Sequence, residues 1–369
     1  MPSPKITKNN ILLALLVSII TLTICVFAVD FYYVKEKRKN WVCEVCQFSS
    51  ELGWDHIPNA KETNGKVTYT TNSLGFRSGE VDRLKEHILI LGDSVAFGVG
   101  VNDNETVSHY IQQKVSKYQV LNIAVSGYSI DQYYLKLKKE IKFTNPKYIV
   151  PIVFSGNDWV ETNQNNMWGI SKPFFKVENE NLIRENPQLS IFSCWNYFTR
   201  SWFFNTLNLN TLKYLTCNSQ KHNKSEGKEV ISMLLDKIQA VGNSVGAKTI
   251  FVLSPSLYNF HLNVCNKDTA SMQFCIENKK ELDFLLESLK GNSMNGANIF
   301  AKNFYGRNYS INQFTNLFKN SNYFYIDYLR HISNEKIKVA SLYNNGDPFH
   351  YSPLGNLYLA KAIINKLKN

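Results

Sequence analysis

No block of five or six like charges occurs anywhere in the chain, although 41 Lys and Arg outnumber 30 Asp and Glu and leave a formal net charge of +11. That absence excludes the concentrated basic footprint of a nucleic-acid binder and leaves a mildly basic surface. Internal repeats and low-complexity tracts are missing too, so neither a solenoid nor a disordered tail organises the molecule. No second Cys-x-x-Cys accompanies Cys43-Glu44-Val45-Cys46, so a four-ligand zinc site is incomplete, and no strand precedes the pair as a redox motif requires. Two familiar loops are absent as well. A Gly-x-Ser-x-Gly elbow around Ser94 would need glycine where Ala96 stands, and a dinucleotide-binding loop would need a third glycine where Asp103 stands.

What is present is a chain of 369 residues, 44% hydrophobic and 13% aromatic, with enough apolar material for a large core. Residues 11–29, ILLALLVSIITLTICVFAV, form a charge-free run long enough to cross a bilayer. They are expected to act as a transmembrane signal anchor behind a cytoplasmic tail, residues 1–10. Val26-Phe27-Ala28 also fits a signal-peptide cleavage site, which would release the chain. The basic residues after the run argue for the opposite orientation, but long domains translocate largely regardless of that bias.

Cysteine usage favours export. Apart from Cys25 inside the run, the six cysteines Cys43, Cys46, Cys194, Cys217, Cys265 and Cys275 make an even set suited to an oxidising compartment. Proximity favours three local pairs, with Cys194–Cys217 and Cys265–Cys275 each clamping an insertion. The expected location is the inner membrane, single-pass, with the folded part in the periplasm or outside, or secretion after cleavage.

Residues 30–86 carry turn signals and little periodicity and read as a juxtamembrane preamble. From His87 the pattern is regular. Apolar runs at 87–92, 118–124, 147–154, 248–254 and 323–327 read as strands, and stretches at about 105–117, 131–143, 228–245 and 352–367 read as helices. This alternation predicts one α/β domain over 87–369 with a parallel sheet covered on both faces, interrupted by insertions at about 160–225 and 256–322.

Ser94 falls at the carboxyl end of the first strand, in ILILGDSVAFGVG, where ligands bind in open α/β sheets. A nucleophilic serine needs a base and a group to orient that base. Among seven histidines, His350 alone lies in a loop before a helix with a carboxylate, Asp347, three residues upstream. Gly127 in NIAVSGYS and Asn157 in FSGNDW stand after the next two strands and offer donors for an oxyanion.

Taken in order, Gly92-Asp93-Ser94, Gly127, Gly156-Asn157-Asp158 and Asp347-x-x-His350 resemble the four blocks of the SGNH, or GDSL-like, hydrolases. The resemblance covers residues 87–160 and 323–368. It implies a flavodoxin-like three-layer α/β/α sandwich, with Ser94 as nucleophile, His350 as general base and then acid, and Asp347 orienting His350. The Ser94 and Gly127 N–H groups and the Asn157 side chain would hold the oxyanion, Asp93 would be structural, and no metal or organic cofactor would be needed.

The segments LGW and NSLGFRS are similar to stretches preceding the Gly-Asp-Ser strand in bacterial envelope-associated members. Arg77 is thereby assigned either to a solvated turn or to the wall of the site. The expected activity is a serine esterase removing O-acyl groups from an envelope glycan or other ester. An O-acyltransferase modifying an exported polysaccharide is the alternative, with Trp159, Trp168, Phe174 and Phe175 as a sugar platform, an acyl pocket or ordinary core. A glycan-binding protein that lost catalysis is the third class, against which stands the presence of every expected catalytic residue type.

Overall fold

The computed structural model describes residues 7–37, 41–185, 189–257, 259, 308–333, 335 and 337–368. Helix α1 (Lys8–Glu36) contains the charge-free run and leaves its apolar side chains largely exposed.

Six parallel strands form the central sheet: β1 (His87–Gly92), β2 (Gln119–Asn122), β3 (Pro146–Phe154), β4 (Lys248–Thr249), β5 (Phe251–Ser254) and β6 (Tyr325–Asp327). The order is β2-β1-β3-β5-β6, with β4 pairing β3 just before β5 does. Successive strand residues feed opposite cores. Leu89, Leu91, Leu121, Ile149 and Val153 belong to one buried cluster, and Ile88, Ile90, Val120, Val150 and Ile152 to the other. Period-2 alternation with apolar residues at both phases forces both faces to be covered.

The first face is covered by α4 (Ile130–Glu140), α9 (Lys224–Ser244) and α10 (Asn308–Lys319), and the second by α3 (Val107–Gln112), α11 (Tyr328–Ser333) and α12 (Pro353–Lys368). Each presents an apolar stripe to its cluster, as Val230, Ile231, Leu234, Leu235 and Ile238 do on α9. The result is the three-layer α/β/α sandwich expected.

Between these lie α2 (Ser94–Phe97), α5 (Asp158–Glu161), α6 (Cys194–Arg200), α7 (Trp202–Thr206) and α8 (Lys213–Thr216). The helix expected over 105–117 is shorter. A 3-10 turn, Asp103–Glu105, comes first, and Thr106 is extended at φ −76°, ψ 156°, so its side chain caps the His109 N–H and starts α3 at Val107.

The preamble holds two antiparallel hairpins, Cys46–Ser49 with Gly53–His56 and Lys61–Asn64 with Val67–Thr70. Strands of four residues are too short to show a period. Residues 41–77 are nevertheless part of the core, because Trp41, Trp54 and Phe76 are buried against the first face. Cys43–Cys46 and Cys194–Cys217 are disulfides, and Cys25 is free on α1. Cys265 and Cys275 lie outside the described residues.

Candidate active site

The direction of strand order reverses between β1 and β3, and the crevice at their carboxyl ends is where ligands settle in such sheets. β1 ends at Gly92, where an added Cβ would stand 2.5 Å from the Ala96 Cβ and 3.0 Å from the Ile152 carbonyl. Any side chain would therefore push α2 off the sheet. Asp93 caps α2, its Oδ1 accepting from the Val95 N–H at 2.9 Å. Ser94 is the first residue of α2 and is half-buried.

His350 reaches it from the other end of the chain. Residues 344–350 form a loop whose ends meet at a bridge between Tyr343 and Tyr351. Both tyrosine hydroxyls donate to the Pro255 carbonyl, at 2.8 and 3.1 Å, which ties the loop to the end of β5. His350 Nε2 lies 2.9 Å from Ser94 Oγ, and Nδ1 lies 2.5 Å from Asp347 Oδ2. Asp347 also accepts the backbone N–H groups of Phe349 and His350, at 2.9 and 3.2 Å. Burial pushes the Asp347 carboxyl up, but these bonds and the facing imidazole outweigh it and hold it below its ordinary value. An ionised Asp347 keeps the proton on Nδ1, so Nε2 faces the Ser94 hydroxyl as an acceptor.

Gly127 lies in the loop that follows β2. The Val125 N–H donates to the Gly92 carbonyl at 3.1 Å, fastening the loop after β2 next to the Ser94 turn. Gly127 has φ +78°, and a Cβ there would lie 3.1 Å from Val42, 3.3 Å from Met167 and 3.5 Å from Trp54, so glycine alone fits without strain. Trp54 grips the loop at two points. Its Nε1–H donates to the Ser126 carbonyl at 2.9 Å, and its own carbonyl accepts from the Tyr128 hydroxyl at 2.6 Å.

Asn157 precedes α5, and its Nδ2 donates to Glu161 Oε2 at 2.9 Å. The same amide also interacts with the Asp93 carboxyl, so an oxyanion would compete with two buried acids for its N–H groups. Beneath it lies a set of buried acids. Burial pushes the Asp93 carboxyl up to about 6, against the Val95 N–H, His350 and the Asn157 side chain. Glu161 is pushed up to about 8 by burial and by the charge of Asp93, and Asp158 is raised for the same two reasons. Asp158 accepts from the Tyr133 hydroxyl and from the Phe154 N–H.

Arg77 is neither solvated nor a wall residue. It is 3% exposed and donates to Asp103 at 2.8 Å and to the carbonyls of Phe97, Gly98 and Val101 at 3.0, 2.7 and 2.7 Å. It thus satisfies the carbonyls leaving α2 and fixes the far end of the Ser94 turn. Asn122, at the end of β2, adds a bond from Nδ2 to the Ala96 carbonyl at 2.9 Å. Asn122 and Glu161 do not stand out in the sequence, because a polar residue inside a strand or a short helix has no local signature.

Of the four aromatics considered for a sugar platform, Trp159, Phe174 and Phe175 are buried core, whereas Trp168 is 51% exposed. Trp168 sits at φ +50°, in the tight hairpin between Asn166–Met167 and Ile170–Ser171. Side-chain donors of Cys43, Cys46 and His56 cluster within 4.8 Å, but the two sulfurs are bonded to each other and offer no thiolate to a metal.

No protein-family model matches the chain, and no curated protein does. Among solved structures the chain is similar to TesA, at TM-score 0.38 and 10% identity over 77% of this chain and 98% of that one. It is also similar to a member of the lipolytic protein G-D-S-L family from Veillonella parvula, at TM-score 0.35 and 9% identity over 76% and 97%. A third is an acetylxylan esterase from Geobacillus stearothermophilus, at TM-score 0.34 and 10% identity over 78% and 97%. Likenesses this distant add no weight to the functional reading, which rests on the geometry of the site.

Proposed function

We propose that the chain is a serine esterase of the SGNH type, acting by acyl transfer through Ser94. The observation that carries this is the continuous hydrogen-bonded line from Asp347 through His350 to Ser94 Oγ, at 2.5 and 2.9 Å. In the proposed reaction His350 Nε2 takes the Ser94 proton as Oγ attacks the ester carbonyl, and the resulting imidazolium is stabilised by Asp347. The tetrahedral oxyanion is held by the N–H groups of Ser94 and Gly127 and by the Asn157 amide. His350 then gives its proton to the departing alcohol, and a water, deprotonated by the same nitrogen, releases the acid from the acyl-serine.

The substrate is proposed to be an O-acylated glycan or a similar ester of the cell envelope. Residues 11–29 serve as a single-pass anchor, residues 30–86 as the juxtamembrane part and residues 87–369 as the hydrolase, held outside the inner membrane. The two disulfides support an oxidising compartment. Trp168 supports a glycan, because an indole with half its surface open offers an apolar face on which a sugar ring can stack.

Hydrolysis of short p-nitrophenyl esters and labelling of Ser94 by a fluorophosphonate test the reading. Both should vanish in Ser94→Ala, and turnover should fall by at least about 10³ in His350→Ala. Wild-type protein with neither turnover nor labelling would overturn it. Acyl transfer to an added oligosaccharide in excess of release to water would replace the esterase by an O-acyltransferase built on the same serine.

A further inference from the structure

The charge-free run on α1 ends at Val29, and the body of the protein grips the helix at that boundary. Asp30 is fully buried. Its Oδ2 accepts from the hydroxyls of Tyr197 and Ser201 at 2.8 and 2.7 Å, and its Oδ1 accepts from the Phe203 N–H at 3.0 Å. One turn earlier, the ring of Phe27 lies 5.7 Å from that of Phe203, and one residue later Phe31 stacks on Phe192 at 3.8 Å.

A helix rises 1.5 Å per residue, so a 19-residue run from Ile11 to Val29 spans roughly 28 Å, close to the thickness of a hydrocarbon core. If the run fills the core, Phe27 lies inside the hydrocarbon edge, and Phe203 on α7 lies beside it. The segment from α6 to α8 is therefore at the membrane surface, not at the end of a free tether. That same segment carries exposed apolar side chains: Trp202 (49%), Leu207 (52%), Leu209 (40%), Tyr214 (59%) and Leu215 (83%).

We infer that residues 202–215 are a second membrane contact, whose Trp202, Leu207, Leu209, Tyr214 and Leu215 enter the interfacial layer of the leaflet from which α1 emerges. The inference rests on the reading of α1 as a membrane span and is independent of the chemistry at Ser94. Trp and Tyr are the residues that favour the headgroup level, and the neighbouring leucines supply apolar area below it. The partner is a lipid surface because the patch continues the surface of a helix that is itself in lipid. Clasped by Asp30 at one point and resting on lipid at another, the catalytic domain has a fixed orientation to the bilayer, so its substrates must come within reach of the membrane.

The test uses the full chain in vesicles of phosphatidylcholine and phosphatidylglycerol, three to one, with acyl chains brominated at carbons 6,7 or 11,12. The fluorescence lost in Trp202→Phe is the Trp202 component. That component should be quenched about twofold or more, and more strongly by the 6,7 than by the 11,12 bromines. Leu207→Asp with Leu215→Asp should reduce this quenching at least twofold while carbonate extraction still leaves the chain in the membrane. A Trp202 component indifferent to bromine overturns the second contact, including the case in which cross-linking shows another copy of the chain covering the patch. Release of the chain by carbonate would instead overturn the span, and neither outcome touches ester turnover.

Discussion

Replacing Arg77 by alanine removes a side chain that is 3% exposed and makes four close polar contacts, three of them to carbonyls at the end of α2 and in the following loop. The guanidinium also lies 4.7 Å from the ring centres of both Tyr69 and Phe97. A charged hydrogen bond contributes about 1.5–3 kcal/mol, and a buried carbonyl left without a donor costs about 1–3 kcal/mol. The same groups are counted from both sides, and water can enter part of the space, so the net loss is about 3–5 kcal/mol. For a chain of this length that corresponds to a fall in Tm of roughly 4–6 °C. Because Phe97 and Gly98 close the turn that begins at Ser94, the nucleophile should lose its alignment with His350. The expected kinetic result is a drop in kcat of about tenfold or more with KM changed less than about threefold. Lysine keeps the charge but brings its three donors to one point, and it cannot span Asp103 and the carbonyls of Gly98 and Val101 together. Arg77→Lys should therefore recover less than half of the lost Tm. Thermal unfolding followed by tryptophan fluorescence, with ester kinetics on the same preparations, measures both effects. An alanine variant within 2 °C of wild type and with unchanged kcat would refute the role given to Arg77.

Asn157→Ala should lower kcat by about 10²–10³ if the amide donates to the oxyanion, and a change under threefold in ester turnover would remove it from the site. The Glu161 carboxyl, raised from 4.5 to about 8, holds its proton more tightly in the folded chain than in the unfolded one. Its contribution to stability is complete below pH 4.5 and is lost as pH rises to about 8, so Tm should fall across that window and fall less in Glu161→Gln; parallel Tm profiles would refute this. Cys194→Ser with Cys217→Ser opens a link between residues 23 apart in sequence, which should cost about 3 kcal/mol, read as a lower Tm of the non-reduced protein. An unchanged Tm would mean that the bridge does not constrain the unfolded chain.

The sheet, its helices and the Ser94, His350 and Asp347 line were legible because each leaves a local trace. Apolar strands end at small or polar residues, and Asp347 lies three residues from His350. What was not legible is what holds those residues in place. Arg77 and Trp54 act on turns 20 and 72 residues away in the chain, and nothing in their own neighbourhood records that. The hairpins of the preamble escaped for another reason. Their strands are four residues long and rich in polar side chains, below the length at which alternation separates from chance, although Gly65, at φ +61° in the second turn, is the kind of residue such a turn needs. Glu161 looked like an ordinary helical acid, and its burial became visible with the packing of α5 under the site.

The regular sheet begins at His87, but the machinery of the site begins earlier. The role proposed for the Gly127 N–H needs the loop after β2 to stay against β1, and that loop is gripped on both sides by Trp54, from the first preamble hairpin. The other half of the nucleophile turn is closed by Arg77, from the stretch between the second hairpin and β1. Trp54 in turn is held through its neighbour, since Asp55 accepts from Lys136 and Lys139 of α4 at 2.7 Å each, and these ion pairs keep the Asp55 carboxyl far below its ordinary value against its burial. A polypeptide starting at His87 would keep every residue proposed to touch the reacting atoms and lose the two that hold the Gly127 loop and the Ser94 turn. The preamble is thus a structural support of the proposed active site, and its Trp41, Trp54 and Phe76 are as deeply buried as the sheet itself.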